Sequence, residues 1–173
     1  MHHSMPMILM SAVLAACSNG TPSSSRPEVS LSEQAGHQAG SYTLYRLDGD
    51  RYPGQPVPEG SELLHGWTIL ESCIIDSSRD RALLFKAFEE GREEMRRIGT
   101  DHLPDCFQPR HAIRVVVNDR TTDHLICFQC SNFMVVIDDE QTGFGSTTDS
   151  PEKIFDAMLA DCGADGHLRS NPN

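Results

Sequence analysis

The chain has 173 residues, and its 25 Asp and Glu against 14 Lys and Arg give a formal net charge of −11 and a pI near 5.0. A chain this acidic repels nucleic acid and anionic lipid headgroups on average, so we expect no nucleic-acid partner. The sequence also lacks the run of about 18 apolar residues that a membrane-spanning helix needs. The acidity is explained by the solubility of a folded domain.

The first seventeen residues predict export and lipidation. An apolar run from Met7 to Ala16 is too short to span a bilayer, and it ends in Leu14-Ala15-Ala16-Cys17. This tetrapeptide resembles a bacterial lipobox, in which the cysteine is diacylated and becomes the mature N-terminus. We expect a signal peptide over residues 1–16, a palmitate-type anchor on Cys17 and a membrane-attached protein of the cell envelope. Since no Lys or Arg precedes the run, an ordinary cleaved signal with Cys17 as a bystander is the alternative.

A polar segment separates this leader from the folded part. Residues 17–40 are rich in Ser, Pro and Gly and hold few large apolar side chains, which predicts a flexible tether. Apolar patterning begins near Ser41 and ends near Gly163. The sequence therefore predicts a single domain over residues 41–163, large enough for a hydrophobic core, and a polar tail over residues 164–173.

The first half of the domain predicts strands followed by a long helix. Alternation over residues 42–47 predicts a half-buried strand that ends at the turn Asp48-Gly49-Asp50, and the Pro- and Gly-rich residues 51–60 predict a loop. A further strand is expected over Leu63–Ile75, broken at Gly66. Its expected core residues are Trp67, Ile69, Ile74 and Ile75.

The helix begins at a cap formed by Ser77 or Ser78 and ends at Gly99. One apolar stripe at a period of 3.6 residues predicts its buried side. The stripe consists of Leu84, Ala87, Phe88, Gly91, Met95 and Ile98.

The second half predicts a meander and a final helix. Strands are expected over Ala112–Val117, His124–Phe128 and Phe133–Ile137, with a turn at residues 118–120 and a loop that contains Gly143 and Gly145. Ser150 and Pro151 then begin a short helix that ends at Gly163. Strands grouped together with two helices predict an α+β fold, with an antiparallel sheet of about four to five strands.

Chemically distinctive residues concentrate between Asp105 and Asn132. They form the motifs Cys106-Phe107-Gln108-Pro109-Arg110-His111 and Ile126-Cys127-Phe128-Gln129-Cys130. With residues 64–67 and the helix after them, the patterns C-F-x-P-R-H and I-C-F-x-C resemble a family of uncharacterised bacterial envelope proteins and lipoproteins. The resemblance covers most of the folded domain. It implies an envelope location and one fold unit, and it implies no particular activity.

Three interpretations of these cysteines compete. The first is structural disulfides, because exported proteins meet an oxidising compartment, although five cysteines after Cys17 leave one unpaired. The second is a zinc site, for which C-x4-H and C-x2-C are feasible spacings and which would leave Cys73 and Cys162 as a disulfide pair. The third is a redox-active C-x-x-C. The candidate disulfide or metal residues are Cys106, His111, Cys127 and Cys130.

Other polar residues carry weaker signals. Arg110 and His111 could bind an anion or orient a carboxylate, and a buried salt bridge is the simpler expectation for this pair. His65, close to Trp67, is expected to pack in the core. The acidic residues 138–140 predict a solvated turn, because they lack the alternating oxygen ligands of a calcium loop. The sequence contains no Gly-rich phosphate loop, no H-E-x-x-H and no G-x-S-x-G motif.

Together these patterns predict a lipid-anchored envelope protein that acts as a non-catalytic binding module. Its expected partners are the membrane, through the anchor, and an envelope protein or a small ligand, and no cofactor is expected. The alternative is a thiol-redox or zinc-dependent envelope factor that uses Cys106, His111, Cys127 and Cys130.

Overall fold

The computed structural model describes residues 39–99 and 106–164. The predicted signal peptide, Cys17, the tether up to residue 38 and the tail from residue 165 lie outside the described residues. The elements in chain order are β1 (Ser41–Leu47), β2 (Leu63–Leu64), β3 (Trp67–Ile74), α1 (Ser78–Ile98), β4 (His111–Val117), β5 (Arg120–Cys127), β6 (Asn132–Ile137), β7 (Glu140–Ser146) and α2 (Glu152–Ala164).

The strands form one antiparallel sheet in the order β2-β3-β1-β4-β5-β6-β7. The predicted α+β class with two helices is confirmed, and the predicted four to five strands are too few. One additional strand arises because the stretch from Leu63 is divided by a tight turn at His65 and Gly66, where both residues have positive φ. The other is β7, which sequence reasoning interpreted as a loop.

Strand β7 escaped prediction because of its glycines, which usually weaken a strand. In the sheet Gly145 lies opposite Phe133, and a Cβ at this position would overlap the Phe133 ring. Gly143 lies opposite Val135. A glycine in β7 therefore gives room to a large side chain on the neighbouring strand.

Two-residue turns form two of the three connections of the meander. Asn118 and Asp119 connect β4 to β5, and Asp138 and Asp139 connect β6 to β7, all with positive φ. Asn and Asp tolerate this conformation, which matches the twist of a hairpin. Because the first turn excludes Arg120, Ala112 pairs with Leu125. The turn expected over residues 118–120 would instead place Ala112 opposite residue 126 or 127.

Helix α1 has the predicted caps. The Ser77 hydroxyl accepts a hydrogen bond from the Asp80 amide at 3.3 Å, and Gly99 is the C-cap. The predicted stripe is buried except for Ile98, which is 68 % exposed, and Phe85 is a buried member that the stripe omitted. Ile98 is exposed because it ends the helix, one turn beyond the last buried residue, Met95. Helix α2 runs through Gly163 and ends at Ala164.

The sheet separates two apolar clusters. The surface here called the helix face is covered by α1 and α2, and its buried residues include Leu44, Ile113 and Phe133 with Phe88 and Phe155 from the helices. The opposite surface, here called the loop face, is smaller. Its cluster consists of Leu47, Leu64, Trp67, Ala112, Leu125 and Val136, with Phe107 packed against it.

In the described residues, neither helix combines the length and hydropathy that a crossing of the membrane would require.

Candidate functional site

The structure joins four of the five cysteines that follow Cys17 in two pairs. Cys73 on β3 and Cys162 on α2 form a disulfide with their Cα atoms 5.8 Å apart, and Cys127 and Cys130 form a second with Cα atoms 5.1 Å apart. Cys106 is an exposed free thiol. This is the pattern of structural disulfides, with one cysteine unpaired because the number is odd.

The zinc site considered in the sequence is not assembled. Cys127 and Cys130 are bonded to each other, and His111 directs its Nε2 towards Asp156, 3.0 Å from Oδ1, so neither partner is arranged around a shared centre with Cys106. Across residues 39–99 and 106–164, no group of three or more His, Cys, Asp or Glu could hold a metal ion. Of the four candidates, Cys127 and Cys130 form a disulfide, His111 is a buried histidine and Cys106 is a free thiol.

Cys106 nevertheless lies beside the strand end that carries the second disulfide. The Asn132 side-chain amide donates to the Cys106 carbonyl oxygen at 2.9 Å, and Asn132 is directly opposite Cys127 in the β5–β6 ladder. The loop before β4 is thus fixed to the start of β6. The Cys127–Cys130 disulfide itself is almost fully buried, with both residues at most 2 % exposed.

His111 belongs to a polar network below α2. Burial lowers the pKa of His111, and the hydrogen bond with Asp156 partly offsets this effect. Asp156 also accepts from Arg46 Nη1 at 3.0 Å, while Arg46 Nε donates to Glu71 at 2.9 Å. Although partial burial raises the pKa of Asp156, the bonds from His111 and Arg46 hold it below its usual range. This network attaches α2 to β1 and β3.

Arg110 forms an exposed ion pair, whereas a buried salt bridge was expected for it. Its Nη2 donates to Asp50 Oδ1 at 2.6 Å, and the Asp50 side chain is 77 % exposed. A pair this exposed contributes little to stability. Arg110 has a carboxylate partner within the chain.

Sequence reasoning missed a buried cluster on the loop face. Asp123, 1 % exposed, accepts two hydrogen bonds from Arg114 at 2.8 Å and lies 2.6 Å from His65 Nε2. His65 was expected to be an apolar packing residue. A signal for the first pair was present, since Arg114 and Asp123 are equally far from the Asn118–Asp119 turn. The contact to His65 spans 58 positions and had no local signal.

A groove of about 710 Å³ lies between β3, the start of α1 and α2. Its apolar part includes Leu83 and Met158, and the Cys73–Cys162 disulfide is in its wall. Its charged residues are Asp76, Asp80, Asp161 and Lys153. Ser77 is the one hydroxyl side chain among the groove residues, and its oxygen is already used as the cap of α1.

The groove escaped sequence reasoning because its walls are far apart in the chain. Cys73 and Cys162 are 89 positions apart, and only their predicted pairing hinted that β3 and α2 are neighbours. Comparison with known protein families, with curated proteins and with solved structures finds no match to this chain. The resemblance to envelope proteins therefore stays a prediction from the motifs, and the function has to be argued from the groove itself.

Proposed function

We propose that the protein is a lipid-anchored, non-catalytic binding module of the bacterial cell envelope, and that the groove between β3, α1 and α2 is its binding site. The groove is the observation that carries the proposal. It combines apolar side chains with a few charged ones, which is the usual composition of a ligand site. Membership of the envelope family suggested by the C-F-x-P-R-H and I-C-F-x-C motifs is part of the same proposal.

The disulfide in the groove wall supports a binding role. The bond between Cys73 and Cys162 holds β3 and α2 at a fixed separation, so the groove is formed before any ligand arrives. A site organised in advance loses less entropy on binding. Two disulfides in one domain also fit an oxidising compartment outside the cytoplasm.

The groove residues favour binding over catalysis. Nucleophilic catalysis needs a nucleophile within hydrogen-bond reach of a base. Among the described residues of the groove, Ser77 is the one hydroxyl and its oxygen accepts from the Asp80 amide, while both cysteines are oxidised to a disulfide. The proposed partners are the membrane, through Cys17, and an envelope protein or a small ligand.

Replacement of Cys17 by Ala tests the anchor. The full chain should leave the membrane fraction of its host and appear in the soluble fraction, because the acylated residue is lost. Cys106→Ala is the matched control and should stay with the membrane, since it removes an exposed thiol in the folded domain. Retention of Cys17→Ala in a detergent-extractable form would overturn the lipid anchor.

A second candidate function, thiol-dependent exchange, is favoured by the position of Cys106. Its thiolate would attack one sulfur of the Cys127–Cys130 disulfide, a new S–S bond would form, and the released thiolate would take up the proton that Cys106 lost. The shared contact with Asn132 places these segments side by side. Peptide mapping of the intact chain without reductant checks this candidate: Cys106 linked to Cys127 or Cys130 supports it, and a Cys106 that is always free removes it.

A further inference from the structure

The outer edge of β3 is paired over only half of its length. Strand β2 pairs with Trp67 and Thr68, and the Ile69 amide donates to the Glu62 carbonyl oxygen. From Leu70 to Ile74, no strand in the described part of the chain pairs with this edge. The inner edge pairs with β1 from Glu71 to Ile74, and Leu70 is a β-bulge residue without a partner in β1.

This open edge has little of the usual protection, since a bulge at Leu70 is the one protective feature of residues 70–74. Natural edge strands carry Lys, Pro, bulges or inward charges that prevent pairing with another chain. Residues 70–74 contain no Lys and no Pro, and the one charged residue, Glu71, is bonded to Arg46 within the chain. Leu70 and Ile74 are 55 % and 54 % exposed, although Ile74 was expected in the core. Beyond that bulge the edge is largely apolar and carries no Lys or Pro, which is the form that a strand-accepting surface takes.

The groove continues this edge. Ile74 belongs to both, and the groove then extends over Cys73 and Ile75 towards α2. Its charged residues are Asp76, Asp80 and Asp161 against Lys153 alone, within a chain whose net charge is −11. The surface next to the open edge is therefore apolar and negatively charged.

We propose that an extended polypeptide segment of a partner, with alternating apolar and Lys or Arg residues, pairs with the outer edge of β3 at Leu70–Ile74 and enters the groove. This inference rests on the proposed binding function and names the chemistry of the partner. Main-chain hydrogen bonds to the edge supply affinity. The aspartates attract cationic side chains of the partner segment and repel acidic ones.

The segment length follows from strand geometry. Five residues of β3 span about 16 Å, so a partner segment of five to eight residues covers the edge and reaches the groove. Successive side chains of the added strand point to opposite faces of the sheet, as in any strand. One set therefore faces the groove and α2, and the other set lies beside the exposed Leu70 and Ile74.

Two fluorescent octapeptides of alternating sequence test the proposal with the full chain in non-ionic detergent. The lysine–valine peptide should bind saturably, at least about tenfold more tightly than the glutamate–valine peptide, and its affinity should fall as salt is raised. Equal affinity for the two peptides, or no binding of the lysine–valine peptide, overturns the inference.

Variants locate the contact. Ile74→Lys places a charge on the open edge and should weaken binding of the lysine–valine peptide by about tenfold or more. Asp76→Asn with Asp161→Asn removes two charges from the groove and should also weaken it. Asp119→Asn with Asp139→Asn is the matched control, because it removes the same charge at two hairpin turns, where Asn is tolerated. Equal losses of affinity for the lysine–valine peptide in the two double variants would overturn the proposal that the aspartates select cationic side chains.

Two further readouts separate this inference from its alternatives. Sedimentation of the free chain should show a monomer, and a dimer that Ile74→Lys dissociates would assign the edge to a second copy and overturn the proposal. A chain that needs Cys17 for membrane attachment but binds neither peptide would keep the proposed anchor and reject this partner chemistry. Circular dichroism of each variant verifies that the fold is intact, and Leu70→Lys replaces Ile74→Lys if the latter unfolds.

Discussion

On the helix face of the sheet, His124 lies against Phe88 and Phe133, and neither of its ring nitrogens has a hydrogen-bond partner in the described residues. On the loop face, in contrast, Asp123 is bonded to Arg114 and His65. The two residues are neighbours on β5 and are equally buried, at 3 % and 1 % exposure. Burial lowers the pKa of His124 to about 4, so the ring is neutral at neutral pH.

The difference shows how two titratable groups tolerate burial. A histidine can lose its proton near neutral pH and then lies among aromatic rings at the cost of unmade hydrogen bonds. A buried carboxylate needs hydrogen-bond donors and a cationic partner in the same layer. The helix face therefore relies on apolar packing, and the loop face on a hydrogen-bonded ion cluster.

The largest expected difference concerns the two disulfides. Replacing Cys73 and Cys162 by Ser should cost about 4–5 kcal/mol, and replacing Cys127 and Cys130 by Ser about 2 kcal/mol, because a longer closed loop restricts the unfolded chain more. The sequence separations are 89 and 3. Urea unfolding of both double variants measures the costs, in a Cys106→Ser background that prevents exchange. Equal costs would mean that the disulfides do not stabilise the protein by restricting the unfolded chain.

Truncation of Phe88 tests the packing of the helix face. Phe88 is fully buried against His124, Phe133 and Phe155, so Phe88→Ala should lower the free energy of unfolding by about 3–5 kcal/mol. Ile98→Ala on the same helix is the control and should cost less than about 0.5 kcal/mol, because Ile98 is exposed. Similar costs for the two variants would show that the apolar stripe of α1 does not pack in the hydrophobic core.

The unpartnered histidine should make stability depend on pH. The pKa of His124 falls from 6.5 to about 4 on folding, so below pH 6.5 the unfolded chain binds more protons. The stability that the neutral His124 ring contributes is complete above pH 6.5. About 3 kcal/mol of it is lost as the pH falls to about 4. Unfolding of the wild type and of His124→Leu across this range measures the loss, which should be smaller in the variant by that amount. A His124 ring that protonates near pH 6.5 by NMR would contradict the prediction.

The ion cluster of the loop face should respond to loss of its charge. Asp123→Asn should cost about 2–3 kcal/mol, because Arg114 and His65 lose their charged acceptor. Asp138→Asn is the exposed control and should change the free energy of unfolding by less than about 0.5 kcal/mol. Urea unfolding measures both. A double variant, Arg114→Met with Asp123→Leu, should recover most of the loss, and failure to recover it would mean that the cluster cannot be replaced by apolar packing.

Local signals predicted much of this fold. Ser77 and Gly99 mark both ends of α1, and the Asn118–Asp119 turn determines the β4–β5 hairpin, because caps and turns depend on a few adjacent residues. The features that the sequence did not predict depend on contacts between residues that are distant in the chain. Strand β7 requires Gly145 to accept the Phe133 ring, and His65 finds Asp123 across the loop face.

The candidate site was less accessible to prediction than the fold. The motif residues Cys106, His111, Cys127 and Cys130 were singled out, but they separate into a buried disulfide, a buried network and a free thiol. The groove lies elsewhere, where Cys73 and Cys162 meet. A concave surface is formed by three elements in space, and no spacing along the chain encodes it.

The position of β1 has a mechanical consequence. The chain enters the sheet at Ser41, and β1 is hydrogen-bonded to β3 on one side and to β4 on the other. A pulling force applied ahead of Ser41 is shared by two ladders, so neither can be unzipped alone, whereas β7 is held by β6 alone among the described strands. If the protein is attached through Cys17, a force that pulls on this anchor reaches the domain at β1, a strand that is hydrogen-bonded on both sides.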